Sequence, residues 1–281
     1  MSAAKIEEGM VKGRSGGHPS LYFRARIPES PKAVLGLLHG YADHATRYDH
    51  VVTELFDGGI GVVALDMRGH GKSEGERGYC DRFDEFLADS AELTKLVDER
   101  AKGASTFLFG HSFGGLVAAL TMLDAPGVYK GLLLSGPFFG LALAVPAVKV
   151  FAGKIASRVL PTLGLPSGLH GADLTHDAAH AKAYDDDPLV FKKAKARWFT
   201  EATKAQEDVL ARASKLSVPL YEMFGMSDKV ASPKVGKQFF DAAGHEDKTW
   251  VPKEGLFHEI LNEPSYREIC AGMAKWMIER A

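Results

Sequence analysis

Ser105-Thr106-Phe107-Leu108-Phe109-Gly110-His111-Ser112-Phe113-Gly114-Gly115-Leu116-Val117-Ala118-Ala119-Leu120 changes character twice within a few residues. The first five are apolar and β-branched and read as a buried strand. The last six read as a buried helix. Between them stands Gly-x-Ser-x-Gly, a pattern that marks a nucleophile elbow when a strand precedes it and a helix follows. The turn is too tight for a Cβ at the glycines, and the serine is held exposed in strained backbone geometry at the top of a sheet. The pentapeptide alone is weak, because three fixed positions recur by chance; its strand and helix flanks give it force.

Outward from that turn, strand and helix patterns alternate, which predicts an α/β fold with a mostly parallel central sheet flanked by helices. Strands are expected at Lys5 to Val11, Ser20 to Ile27, Ala33 to Leu38, Ile60 to Leu65, Gly131 to Ser135, Val218 to Phe224 and Lys248 to Val251. Helices are expected at Arg47 to Gly58, Asp81 to Ala101 with Asp81 as N-cap, Pro233 to Ala243 and Pro264 to Arg280. Residues from about Phe138 to Ser214 break the rhythm. No convincing strand is visible there, and helical pieces recur at Leu141 to Leu160 and Pro188 to Arg212. The expectation is a helical cap, 138–214, inserted late in the sheet between core segments 1–137 and 215–281.

The chain has 281 residues, 46% of them hydrophobic and 25% charged, with net charge −2. Those totals describe a globular protein and give no basic face for nucleic acid. Two cysteines, Cys80 and Cys270, make no disulfide framework, and Met1 to Lys12 lacks the apolar stretch of a signal peptide. A reducing, cytoplasmic setting is the simplest expectation. The uncharged run from Gly131 to Val148 approaches the length of a membrane span, but Pro137 and Pro146 interrupt it. It reads as a core strand followed by an apolar helix.

A serine hydroxyl needs an adjacent base, and the base needs a group that fixes its tautomer. On this kind of sheet the order along the chain is Ser, then Asp or Glu, then His. Asp228 fits the acid, four residues beyond the strand ending at Phe224, with Asp66, Glu222 and the Asp185-Asp186-Asp187 cluster as weaker candidates. Among the 11 histidines, His258 follows the last strand and precedes the final helix, where the base should fall. His176, His180 and His245 read as surface or cap residues. His111 reads as a packing residue, and His39, His44 and His70 as hydrogen-bonded loop supports. Two oxyanion donors are expected from the main chain: the N–H of Phe113, after the nucleophile, and that of Tyr41, after His39-Gly40. Metal-ligand spacings are lacking, and Gly69-His70-Gly71-Lys72-Ser73 falls short of a phosphate-loop pattern. No cofactor and no metal are expected.

With these residues in place the chain resembles the monoacylglycerol lipases and lysophospholipases of the α/β-hydrolase fold. The resemblance rests on His39-Gly40 with His44 and Arg47-Tyr48, and on Asp66 with Arg68-Gly69-His70-Gly71-Lys72-Ser73-Glu74-Gly75. It continues in Gly110-His111-Ser112 with Gly114-Gly115, the Asp228 loop, and His258-Glu259-Ile260-Leu261-Asn262-Glu263. It implies Ser112, Asp228 and His258 as the triad, Tyr41 and Phe113 as oxyanion donors, and a mobile apolar cap that admits a single-chain lipid. Tyr41 and Phe113 are bulkier than the resemblance leads one to expect, and narrow the pocket. Substrate contacts are expected from Tyr41, Phe113, Leu141, Val145 and Val148. The expected reaction is hydrolysis of single-chain lipid esters through an acyl-enzyme. Alternatives are a lysophospholipase, a thioesterase, a short-chain esterase, a peptidase of the proline-iminopeptidase type, or a binding protein that keeps the fold without turnover. A transient contact of the cap with a membrane surface is compatible with its composition, and the oligomeric state is left open.

Overall fold

The computed structural model describes residues 5–12, 18–143 and 147–281. In chain order the elements are β1 (Glu7–Val11), β2 (Leu21–Arg26), β3 (Ala33–Leu38), α1 (Asp49–Asp57), β4 (Ile60–Leu65), α2 (Asp84–Arg100), β5 (Ser105–His111), α3 (Phe113–Asp124) and β6 (Gly131–Ser135). Then come α4 (Ala147–Val159), β7 (Gly164–Pro166), α5 (Ala178–Asp186), β8 (Lys193–Lys195), α6 (Ala196–Arg212), β9 (Leu220–Gly225), α7 (Pro233–Ala242), β10 (Lys248–Lys253) and α8 (Tyr266–Ile278).

Eight strands form one sheet in the order β1-β2-β4-β3-β5-β6-β9-β10. β2 runs antiparallel to both β1 and β4, and the remaining neighbours are parallel. The parallel strands read as continuous apolar runs because helices cover both faces; every residue of β3 and of β4 is buried. On one face Leu35, Leu37, Phe109 and Met223 pack under α1 and α8. On the other, Val34, Leu38, Leu108 and Leu134 pack under α2 and α3. Strand order reverses between β3 and β5, whose Leu38 and Gly110 lie side by side. A reversal of that kind opens a crevice at the carboxyl ends of the two strands, and the loops after β3 and β5 enter it.

The segment between β6 and β9 departs from expectation in two ways. Leu141 does not begin a helix; it pairs with Ala231 in an isolated bridge, and α4 starts only at Ala147. A proline cannot donate within a helix interior, and Pro146 immediately precedes α4. Also, β7 and β8 form a two-stranded antiparallel pair where no strand was expected, so the helix expected from Pro188 begins only at Ala196. Three-residue strands built from Gly, Leu, Pro, Lys and Ala carry no period-two signal to detect. The stripe Trp198, Ala202, Ala205 and Val209 on α6 joins the same buried cluster as the sheet residues.

At α2, Asp81 is not the N-cap. Its carboxylate accepts from the Tyr79 hydroxyl, the helix begins at Asp84, and Glu85 reaches back to accept from the N–H groups of Asp81 and Arg82 at 3.2 and 3.3 Å. Among the described residues no helix is long and apolar enough to cross a membrane.

Candidate active site

Ser112 closes β5 and caps α3, with φ 52° and ψ −118°. A non-glycine residue in that region costs on the order of 1–3 kcal/mol, and such strain persists only where the surroundings enforce it. Here two glycines do. A Cβ on Gly110 would come 2.3 Å from the Gly114 carbonyl oxygen, and one on Gly114 would come 2.3 Å from that of Leu38. The helix therefore starts hard against the sheet, and the serine has no relaxed alternative. Its main chain is tied on both sides: Ser112 N–H donates to the Ser135 carbonyl at 3.0 Å, and Phe138 N–H donates to the Ser112 carbonyl at 2.9 Å.

The loop after β3 runs alongside. A Cβ on Gly40 would touch the Ser112 Cβ at 3.4 Å. His39 braces the turn: Met67 N–H donates to its Nε2 at 3.0 Å, so its Nδ1–H donates to the Gly40 carbonyl at 2.7 Å. Phe113 N–H lies at the start of α3, where first-turn amides lack helical acceptors and the dipole favours negative charge.

Asp228 and His258 arrive from the loops after β9 and β10. The Asp228 carboxylate is fully divided between two tasks. Oδ1 accepts from Val230 N–H at 2.7 Å and Ala231 N–H at 3.0 Å; Oδ2 faces His258 Nδ1 at 2.6 Å. Burial by itself would lower the His258 pKa, but the charge and hydrogen bond of Asp228, with Glu259 and Asp43 beyond, outweigh it and raise it above the usual value. Gly136 separates this pair from the end of β6; a Cβ there would meet Asp228 Oδ2 and His258 Nδ1 at 3.3 Å. Among the described residues, Ser112 Oγ makes no hydrogen bond to His258. Bonds of this kind are often long without substrate and tighten around it.

The other sequence candidates fall into different roles. Asp66 accepts from Ala45 N–H at 2.6 Å and Lys72 N–H at 2.8 Å, which makes it the scaffold of its own loop. Glu222 is buried in the sheet with neither carboxyl oxygen partnered among the described residues, and burial drives its pKa well above the usual value. Asp187 faces His44 Nε2 at 2.9 Å, and Asp185 accepts from Gly171 N–H at 3.2 Å. His111 packs beside His258, ring centroids 4.8 Å apart, and burial and that neighbour push its pKa down to about 4. Leu141 lies half-buried against the main core near the Asp228 loop. Val145 and the side chain of Val148 lie outside the described residues.

Two features had no role assigned from sequence. Arg47 spans the crevice: it donates to Glu259 at 3.0 and 2.8 Å and to Asp43 at 3.0 Å, knitting the loop after Gly40 to the residue that follows His258. These charges hold each other: despite burial, Arg47 and the nearby histidines keep Asp43 well below the usual carboxylate range, and Arg47 lowers the pKa of Glu259. The second feature is Trp198, whose ring stacks on Tyr41. Its only sequence signal is the stripe it begins on α6. Among the described residues no cluster of three His, Cys, Asp or Glu side chains could hold a metal ion.

A strained serine at a strand-to-helix turn, with a buried Asp–His pair from later loops on a mostly parallel sheet, defines a serine hydrolase of the α/β-hydrolase fold. Residues 29–265 match the family described as Serine aminopeptidase, S33, and the chain belongs to that family. It is 31% identical over 239 residues to the human monoglyceride lipase, covering 83% of this chain and 78% of that protein. It is 29% identical over 267 residues to an uncharacterized abhydrolase domain-containing protein of Dictyostelium discoideum, where it spans 28% of that protein's length. The crystal structure of the Paleococcus ferrophilus monoacylglycerol lipase superposes with a TM-score of 0.84 at 27% identity, over 93% of this chain and 99% of the other.

Proposed function

We propose that Ser112, Asp228 and His258 act as a triad that hydrolyses esters of glycerol with a single acyl chain. Ser112 Oγ attacks the ester carbonyl carbon as His258 Nε2 takes its proton. The tetrahedral oxyanion receives the N–H groups of Phe113 and Tyr41, and Asp228 stabilises the imidazolium. Collapse breaks the bond to the glycerol oxygen, which leaves with the proton from His258. Water, deprotonated by His258, then attacks the acyl carbon; the bond to Ser112 Oγ breaks, His258 returns the proton to Oγ, and the fatty acid is released. The observation that carries this reading is the 2.6 Å approach of Asp228 Oδ2 to His258 Nδ1 beside a serine at φ 52°. The similarity to monoglyceride lipases supports the choice of alcohol.

In this reading segments 1–137 and 215–281 form the catalytic core and 138–214 its lid. Leu143, Val159 and Leu160 are 77%, 71% and 57% exposed, which supports a transient docking of the lid on a membrane surface. The buried, free thiols of Cys80 and Cys270 support a reducing compartment such as the cytoplasm. Leu141 belongs to the path of the acyl chain.

A second reading, a short-chain esterase, draws on one observation. Tyr41 stacks on Trp198 with centroids 3.5 Å apart, and Phe113 abuts both rings, so the oxyanion side of the crevice is narrow. Fluorophosphonate labelling of the wild type and of Ser112→Ala tests the nucleophile: label on the wild type alone is expected, and an unlabelled wild type rejects the triad. Hydrolysis of monoacylglycerols graded from acetyl to oleoyl separates the two substrates. Turnover rising with chain length is expected, whereas a clear preference for acetate selects the esterase.

A further inference from the structure

Both residues expected to supply oxyanion donors carry aromatic side chains, and both side chains end on one tryptophan of the inserted segment. Tyr41 stacks on Trp198 at 3.5 Å between centroids with 22° between planes; Phe113 meets the same ring edge-on at 5.3 Å. The Tyr41 hydroxyl extends the attachment: it donates to the Gly78 carbonyl at 2.8 Å and accepts from the N–H of Lys195, the residue that opens α6, at 3.3 Å. About three turns further along the same helix, Gln206 Nε2 donates to the Phe138 carbonyl at 2.9 Å. Phe138 in turn donates its own N–H to the Ser112 carbonyl at 2.9 Å. One helix thus contacts the loop after β3 and the first residue of α3, and reaches the Ser112 carbonyl through Phe138.

The tryptophan is not held there by a hydrogen bond. Its Nε1 is buried without a partner among the described residues, a loss that an apolar residue of similar size would avoid. Burial of an unsatisfied donor in a native core calls for an explanation, and the position of the indole between two rings supplies one. The ring closes one side of the seats of Tyr41 and Phe113, whose other sides are Phe191 and Phe86, and the backbone N–H groups of the two residues follow their side chains. We propose that Trp198 is a positioning residue that aligns the two oxyanion donors, so that turnover depends on the placement of α6 and not only on the triad. This inference rests on Ser112 acting as the nucleophile and adds a residue that touches neither substrate nor triad.

The experiment uses the full chain and an acetyl ester, too short for an acyl chain to reach along the lid. Trp198→Ala is expected to lower kcat about 10- to 100-fold, the scale of an oxyanion donor displaced by an ångström or less, with KM changed less than about twofold. Trp198→Phe keeps a ring on Tyr41 and is expected to restore most of kcat. Affinity for an alkyl boronic acid, which mimics the tetrahedral adduct, should fall in parallel with kcat. Should Trp198→Ala not fold, Trp198→Leu carries the same expectation, and Gln206→Leu should give a smaller loss of kcat in the same direction. Unchanged kcat on the acetyl ester, or a loss confined to KM with long-chain esters, overturns the proposal, because Trp198 would then be only a wall of the pocket. A wild type that fluorophosphonate does not label would instead refute the triad itself.

Discussion

Asp228→Asn tests the site more sharply than any other substitution, because the structure dictates which way the new amide must face. Oδ1 of Asp228 accepts two backbone N–H groups, from Val230 at 2.7 Å and Ala231 at 3.0 Å. An asparagine keeps those bonds only by placing its carbonyl oxygen there. Its NH₂ must then point at His258 Nδ1, where a carboxylate oxygen stood at 2.6 Å. Two donors cannot share that line, so Nδ1 gives up its proton and Nε2 takes it. In that tautomer Nε2, the atom proposed to take the serine proton, no longer has a lone pair to accept it. The same change in a serine protease lowers kcat by about 10⁴, and four decades correspond to about 5 kcal/mol of transition-state stabilisation. The expected outcome is a loss of kcat of that order on a monoacylglycerol, measured near pH 8, with KM within about threefold. The main-chain bonds survive, so the melting temperature should move by no more than about 4 °C, the size of a 1 kcal/mol change. A folded Asp228→Asn that turns over at the wild-type rate would refute the reasoning, since the group orienting His258 would have to be something other than this carboxylate.

Three further expectations concern charge. The proposed mechanism requires the base form of His258, whose pKa is raised, so kcat/KM should fall on the acid side with an apparent pKa above the usual 6.5; an acid limb below that value would contradict the role of Asp228. Glu222 has a pKa raised well above 4.5 by burial, with Asp241 adding to it. The native state therefore holds a proton that the unfolded chain releases, and this contribution to stability declines as pH climbs from about 4.5 toward the raised value. Glu222→Gln should accordingly gain on the wild type with rising pH, by up to about 1.4 kcal/mol per pH unit, read from urea midpoints at a series of pH values; a gap that does not change with pH would mean that Glu222 is ionised in the fold. Glu259→Gln removes one partner of a buried pair and should cost about 3 kcal/mol in the same assay, because Arg47 is left with Asp43 alone; a cost below about 1 kcal/mol would mean that solvent already screens the pair.

Much of the frame was legible because it is local. The strand patterns at Ala33–Leu38, Ile60–Leu65 and Gly131–Ser135 matched the sheet residue for residue. Apolar runs buried on both faces leave little freedom in where a strand begins and ends. The caps and edges were less legible. Asp81 looked like an N-cap, but its carboxylate is engaged by Tyr79, two residues earlier in the chain. The pair β7–β8 is too short for any periodicity to register, and the start of α4 was misplaced because an apolar run does not reveal where its helix begins.

The sequence by itself determined the local part of the bend at Ser112, since Gly110 is pressed by the Gly114 carbonyl four residues on, and it determined the order in which Ser112, Asp228 and His258 follow their strands; Gly114 is required only because folding brings the Leu38 carbonyl against it. Tertiary structure decided what those residues meet. Asp66 and Asp228 follow strand ends and Glu222 lies within a strand, and only folding put Asp66 under its own loop, Glu222 in the buried interior and Asp228 against His258. Arg47 and Glu259 lie 212 residues apart, and Tyr41 and Lys195 lie 154 apart. Contacts across such distances depend on how helices pack over the sheet, and no spacing along the chain encodes them.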